Sequence, residues 1–218
     1  MTDFILREWQ MSDAASIAEN ANNIHIWNNL RDGLPHPYSE KDGKEYIEMA
    51  LSKPKPATLF AIAVEEKAVG SIGIFPRTDV ERITAELGYF IGEKYWNQGI
   101  MTAAVKEMVN YAFTHFPLQK IFATPFDFNI ASQKVLQKAG FEQEAILKQA
   151  AIKNGKIIDL HYYSLLKNQW QSDAKSRSDD TLLTVDFNLR IGDAACHVST
   201  KSRSDDTNEH DYVMVLKK

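Results

Sequence analysis

Cysteine is almost absent from this chain, with a single Cys196 in 218 residues. One thiol excludes an intramolecular disulfide framework and a cysteine-rich zinc site, and it fits a reducing compartment. Long apolar runs are missing as well: nothing approaches the ~20 residues that a membrane-spanning helix needs. The opening "MTDFILREWQ" carries an early acid and no apolar core of signal-peptide length. A soluble, cytoplasmic protein is the expectation. Positive charge is not in excess either. The formal net charge is −4 and the pI is near 5.9, so no basic stripe marks a protein built to grip nucleic acid. What remains is 44% hydrophobic content, enough for one good core and an appendage but not for two ordinary domains.

Periodicity places the elements. Phe4 to Trp9 reads as a strand, and "SDAASIAENAN" as a helix with Ser12 or Asp13 at its start. A short helix, the proline-rich loop "LPHPYS" and a further helix follow; Ser39 with Asp42 resembles a capping box, although Gly43 weakens that helix start. Thr58 to Val64 and Val69 to Phe75 form a predicted hairpin across "EEKA", and Ala85 to Ile91 is a third strand. From about Gly99 to His115, Ile100, Ala104, Met108, Tyr111 and Ala112 share one helical face. Lys120 to Thr124 is a strand, Ile130 to Ala139 a helix closed by Gly140, and Phe141 to Leu147 and Ile157 to Leu166 are strands around Asn154-Gly155. Helices on both sides of a mixed, mostly antiparallel sheet satisfy this order.

Beyond about Gln171 the texture changes. "KSRSDDT" occurs at residues 175 to 181 and again at 201 to 207, and the segment between them alternates like a strand without enough apolar material for a core of its own. The chain divides into a domain over residues 1–170 and an appendage over residues 171–218.

The chemistry-bearing junction lies between the strand ending at Ile91 and the helix after Gly99. A strand that stops just before a helix start presents unpaired amides in a concave turn, and these, with the helix dipole, favour phosphate oxygens. The stretch "EKYWNQGIMTAAV" has no second spaced glycine and no Lys-Ser or Lys-Thr, so it is no P-loop, and the three glycines of a Rossmann fingerprint are missing.

Taken in order, "NLRDGLPHPYS", "GYFIGEKYWNQGIMTAAVKEMVNYAF" and "NIASQKVLQKAGF" resemble the GCN5-related N-acetyltransferase (GNAT) superfamily, in its RimJ/RimL-type branch, over roughly residues 2 to 168. The resemblance implies an α+β fold, an α/β three-layer arrangement, with a splayed wedge in the sheet that receives the pantetheine arm of acetyl-CoA. It implies that Phe90, Ile91 and Gly92 offer backbone groups to pantetheine, that Gln98, Gly99, Ile100, Met101 and Thr102 supply amides to the pyrophosphate, and that Asn129 sits near the pantetheine. Trp96 and Met101 stand where the wider family has Arg or Gln and Gly or Ala.

For the reaction, the resemblance implies direct attack of a primary amine on the thioester, with no covalent enzyme intermediate and no metal. The oxyanion donor expected is a backbone amide near Phe90 or Ile91. Many relatives carry a tyrosine acid where this chain has Leu136, which leaves Ser132 as candidate acid, against a plain capping hydroxyl. Glu86 is the candidate base, against a solvated strand carboxylate. His36, Tyr38, Trp27 and His161 are candidates for the acceptor site, each weighed against simple packing, as are Trp96 and Tyr89. An α-amine, with a pKa of about 8, is far more often free at neutral pH than a lysine near 10.4. That favours a protein N-terminus, with aminoglycosides, polyamines and amino acids as alternative acceptors. A non-catalytic acyl-CoA-binding module and a tail that pairs with a partner's sheet edge are the other readings. Relatives are monomers or homodimers.

Overall fold

The computed structural model describes residues 2–178, with the side chains of 173–178 left aside. The second "KSRSDDT" and the alternating segment before it lie outside the described residues. The elements are β1 (Ile5–Arg7), α1 (Ala14–Ala21), α2 (Ile24–Trp27), α3 (Glu40–Ser52), β2 (Leu59–Val64), β3 (Lys67–Pro76), β4 (Thr84–Ile91), α4 (Ile100–His115), β5 (Lys120–Ala123), α5 (Ile130–Lys138), β6 (Glu142–Lys153), β7 (Lys156–Leu166) and α6 (Lys167–Ser178). Helix α6 runs across residue 171, where the sequence predicts a boundary.

All seven strands form one sheet in the order β1-β2-β3-β4-β5-β7-β6. Every pairing is antiparallel except β4 with β5. Because successive strand residues face opposite sides, the sheet has two apolar faces and needs a helical layer on each. One face buries Phe60, Ile62, Ile72, Leu87 and Ile91 against Ile100, Ala104, Met108 and Tyr111 of α4 and Leu136 of α5. The other buries Leu59, Ala61 and Ala68 against Ile17 of α1 and Ile47 of α3. The five α4 residues predicted to share a face are all buried.

Local signals account for most of the connections. The predicted capping box at α3 is formed: Ser39 Oγ accepts from the Asp42 amide at 3.3 Å, and the Asp42 carboxylate accepts from the Ser39 amide at 2.7 Å. Gly43 does not weaken this helix; it lets α3 close on α1, since a Cβ there would lie 2.8 Å from the Ala14 carbonyl oxygen. Asn154 and Gly155, both with positive φ (52° and 73°), turn β6 into β7 as expected of that dipeptide. The difference lies in β6, which runs to Lys153 instead of stopping near Leu147. Its register shifts against β7 between Leu147 and Ala151, so the alternation breaks in mid-strand while the pairing resumes.

Candidate active site

Strand β4 has two unlike edges. Along β3 it is paired throughout, from Gly70↔Ile91 to Pro76↔Ala85. Along β5 the parallel pairing covers only Thr84↔Lys120, Ala85↔Ile121 and Glu86↔Phe122. Past Ala123 the chain stays with β7: Phe126 bridges Leu160, the His161 amide donates to the Pro125 carbonyl at 3.0 Å, and the Asp127 amide to that of Asp159 at 3.1 Å. Residues 87–91 therefore border a wedge-shaped gap where a neighbouring strand would lie.

Backbone alternation decides what faces this gap. The Gly92 amide donates to the Val69 carbonyl at 2.8 Å and the Arg77 amide to that of Thr84 at 2.9 Å, whereas the Ile83 carbonyl accepts from Gln119 at 2.8 Å. In such ladders the direction alternates by residue. Even-numbered residues of β4, Phe90 among them, spend their peptide groups on β3, and Leu87, Tyr89 and Ile91 turn theirs to the gap. Of the expected trio Phe90, Ile91 and Gly92, only Ile91 aims its amide there, and its carbonyl is already filled by Trp96 Nε1 at 2.9 Å. The Phe90 side chain packs against Ala18, Ala21 and Tyr38.

At the end of β4 the chain turns into α4 through Asn97 (φ 61°) and Gly99 (φ 81°). Gly99 is the N-cap, in a left-handed conformation that a side chain would strain. It provides no side-chain cap, and its carbonyl takes the first helical amide, that of Ala103, at 3.2 Å. The amides of Ile100, Met101 and Thr102 are thus the unfilled donors at the start of a 16-residue helix, while the Ile100 and Met101 side chains are buried beneath them. Such an end favours an anion. The Gln98 side chain is turned away, donating to the Lys94 carbonyl at 2.8 Å and accepting from Thr2 at 2.6 Å.

Helix α5 forms the far wall and is capped differently. Asn129 Oδ1 accepts from the Ser132 amide at 3.1 Å, so the Asn129 carboxamide serves the helix. The Ser132 hydroxyl lies 2.9 Å from the Tyr89 hydroxyl, a contact that crosses from α5 to β4 where backbone pairing has ceased. Leu136 is fully buried in the main core.

The opposite face of the sheet carries side-chain chemistry. The Glu86 carboxylate accepts from Arg31 at 2.9 Å and from Thr124 at 3.0 Å on one oxygen, and from Arg77 at 3.0 Å on the other. Arg31 also donates to Thr124 Oγ1 at 2.8 Å. Arg77 lies over the Phe122 ring, which stacks on Tyr162. The β6–β7 turn closes on the loop after α2: Lys153, although 3% exposed, reaches Asp32 at 2.7 Å and lies 3.7 Å over the Trp27 ring. Trp27 donates to the Leu34 carbonyl and lies against the exposed His36, with ring centroids 5.7 Å apart and planes tilted by 33°. Tyr38 is buried below this loop, and burial pushes its phenol up. His161 alternates onto the Tyr163 side, away from Glu86, with Nδ1 buried and without a hydrogen-bond partner among the described residues. Arg31, Arg77 and Lys153 went unnoticed in the sequence, although Arg31 lies inside the motif "NLRDGLPHPYS".

An acetyltransferase (GNAT) domain model matches residues 3–142, more than half of the chain. The chain belongs to the GNAT acetyltransferase family. It is 32% identical over 139 residues to an uncharacterized N-acetyltransferase, p20, of Bacillus licheniformis, covering 62% of this chain and 78% of that one. Among solved structures, RimL, a ribosomal L7/L12 alpha-N-protein acetyltransferase in complex with coenzyme A, aligns with a TM-score of 0.67 at 18% identity, over 76% of this chain and 95% of that one. Mycobacterium smegmatis RimJ in complex with CoA-disulfide gives 0.67 at 21% identity, over 81% and 95%. This GNAT protein is an acetyl-CoA-dependent N-acetyltransferase, and its sheet and helices match the fold of the RimL and RimJ neighbours. Among the described residues no His, Cys, Asp or Glu group is arranged to hold a metal, and no helix is long and apolar enough to cross a membrane.

Proposed function

We propose that this enzyme acetylates the free α-amine of a polypeptide N-terminus. The observation that carries the reading is the state of the carboxylates around the cleft. Glu86 is held by Arg31, Arg77 and Thr124, Asp32 by Lys153, Glu144 by Lys120 and Asp159 by Lys148. A polycation such as a polyamine or aminoglycoside calls for unpaired acids, and these are engaged. With these four carboxylates engaged, the acceptor has to arrive partly deprotonated, which an α-amine with a pKa of about 8 does and a lysine with one of about 10.4 does not. The RimL neighbour, an alpha-N-protein acetyltransferase, agrees with this reading.

The residues fit acetyl-CoA by their unfilled donors. The amides of Ile100, Met101 and Thr102 would hold the pyrophosphate, and those of Leu87, Tyr89 and Ile91 would pair with the pantetheine amides. The thioester supplies an activated acyl carbon for direct attack by the amine. One of these three β4 amides would serve the thioester carbonyl instead of pantetheine and receive the negative charge that develops on its oxygen, a class of contact worth about 3 kcal/mol. Ser132 offers a hydroxyl to the departing sulfur. Glu86 does not act as a base here: both oxygens are engaged, and it orders the two arginines that shape the acceptor's entry.

Incubating the protein and acetyl-CoA with N-terminal peptides, lysine-bearing blocked peptides, polyamines, aminoglycosides and amino acids tests this. Free CoA release and mass of the acceptor should single out the unblocked peptides. Turnover confined to polyamines or aminoglycosides would overturn the reading.

A further inference from the structure

The Tyr89 side chain has no role in the reaction as set out so far, and yet its hydroxyl is the single side-chain bridge described between β4 and α5 across the gap. We infer that Tyr89 is a positioning residue that fixes the Ser132 hydroxyl with its hydrogen aimed into the wedge, where Ser132 donates to the sulfur of coenzyme A. The inference rests on the acetyl-CoA reading of the wedge.

The argument is a count of donors and acceptors. A partly buried phenol must place its hydrogen, and burial pushes the Tyr89 phenol up, so it stays a donor. Its acceptors are Ser132 Oγ at 2.9 Å and the Ser132 carbonyl at 3.4 Å, and the nearer has the ordinary geometry of an O–H···O bond. When Ser132 Oγ accepts from Tyr89, its own hydrogen is left for a third group. The Ser132 amide is taken by Asn129, which holds the first turn of α5 in place. The Ser132 backbone is thus fixed by Asn129 and its hydroxyl by Tyr89. Tyr89 belongs to the part of β4 whose peptide groups face the gap, so the pair lies beside the path of the pantetheine.

Tyr89 itself does not lose a proton, because a buried phenolate would be worse placed than the thiolate it relieved. In the reaction the C–N bond forms, the C–S bond breaks with its electron pair on sulfur, and the proton shed by nitrogen completes the thiol. Ser132 stabilises the sulfur through that exchange with a hydrogen bond. The fully buried Leu136, where many family members carry a tyrosine, offers no hydroxyl.

Two measurements on the full chain test this. The first is the ultraviolet titration of the thiol of bound coenzyme A, with affinity followed by calorimetry. Tyr89→Phe and Ser132→Ala should both raise the pH at which the bound thiol ionises, while coenzyme A affinity at neutral pH changes by less than about threefold. The second is kinetic: Tyr89→Phe should lower kcat about tenfold, the weight of one hydrogen bond, with little change in KM for acetyl-CoA. Adding Tyr89→Phe to Ser132→Ala should cost nothing further. An unchanged thiol titration in Tyr89→Phe, or losses that multiply in the double variant, would overturn the role of Tyr89. A wild-type protein that binds no coenzyme A would instead sink the wedge reading itself.

Discussion

The two sides of the cleft use different chemistry. On the proposed cofactor side, the end of β4 and the start of α4 present peptide amides, and two nearby side chains are engaged elsewhere: Gln98 folds back on Lys94 and Trp96 fills the Ile91 carbonyl. On the proposed acceptor side, the groups presented are side chains, with Arg31, Arg77 and Thr124 gathered on Glu86. Apart from proline, no substitution removes a peptide amide, so a site made of them tolerates many sequences as long as the turn keeps its shape. A site made of ion pairs can be retuned one residue at a time.

Substitutions on each side should therefore separate binding of the two substrates. Gly99→Val carries the largest effect: a β-branched residue at φ 81° displaces the α4 amides, and coenzyme A affinity measured by calorimetry should drop on the order of a hundredfold. Equal affinity would show that the amides are not the anchor. Glu86→Gln should leave coenzyme A affinity intact and reduce kcat/KM for the acceptor about tenfold, because the guanidiniums lose their shared anion. A fall in coenzyme A affinity of the same size would merge the two sides. Trp96→Phe releases the Ile91 carbonyl and should alter coenzyme A affinity by about fivefold or less, the scale of one partly exposed hydrogen bond.

Smallest is a control at the capped start of α3, outside the proposed site. The Asp42 carboxylate is held below its ordinary 3.8 by the Ser39 hydroxyl and then by the Ser39 amide. A carboxyl group depressed on folding contributes stability that is present above 3.8 and is lost as the pH falls through the folded-state value. Thermal midpoints of Asp42→Asn and wild type should therefore differ at neutral pH and converge in acid, with activity unaffected. A gap that persists in acid would assign the effect to packing.

Legibility in the sequence follows the range of the interactions. The α4 start, the Ser39 cap and the Asn154-Gly155 turn depend on neighbours a few residues away, and they could be read directly. The direction of the β4 peptide groups depends on the register with β3, which no local pattern encodes, so the peptide groups expected of Phe90 and Gly92 at the gap are ones that β3 uses. Glu86 reads as a free strand carboxylate until Arg31, 55 residues before it, and Thr124, 38 after it, arrive in space. Tyr89 and Ser132 likewise meet only through the fold.

The short parallel seam at Thr84–Glu86 has a mechanical consequence. It is the strand pairing that joins β1–β4 to β5–β7, so the sheet amounts to two half-sheets stitched over three residue pairs. A guest lying in the opening would complete hydrogen bonding along the unmatched margin of β4 and stiffen the join. Amide exchange in β4 and β5 should slow on its arrival more than anywhere else in the molecule.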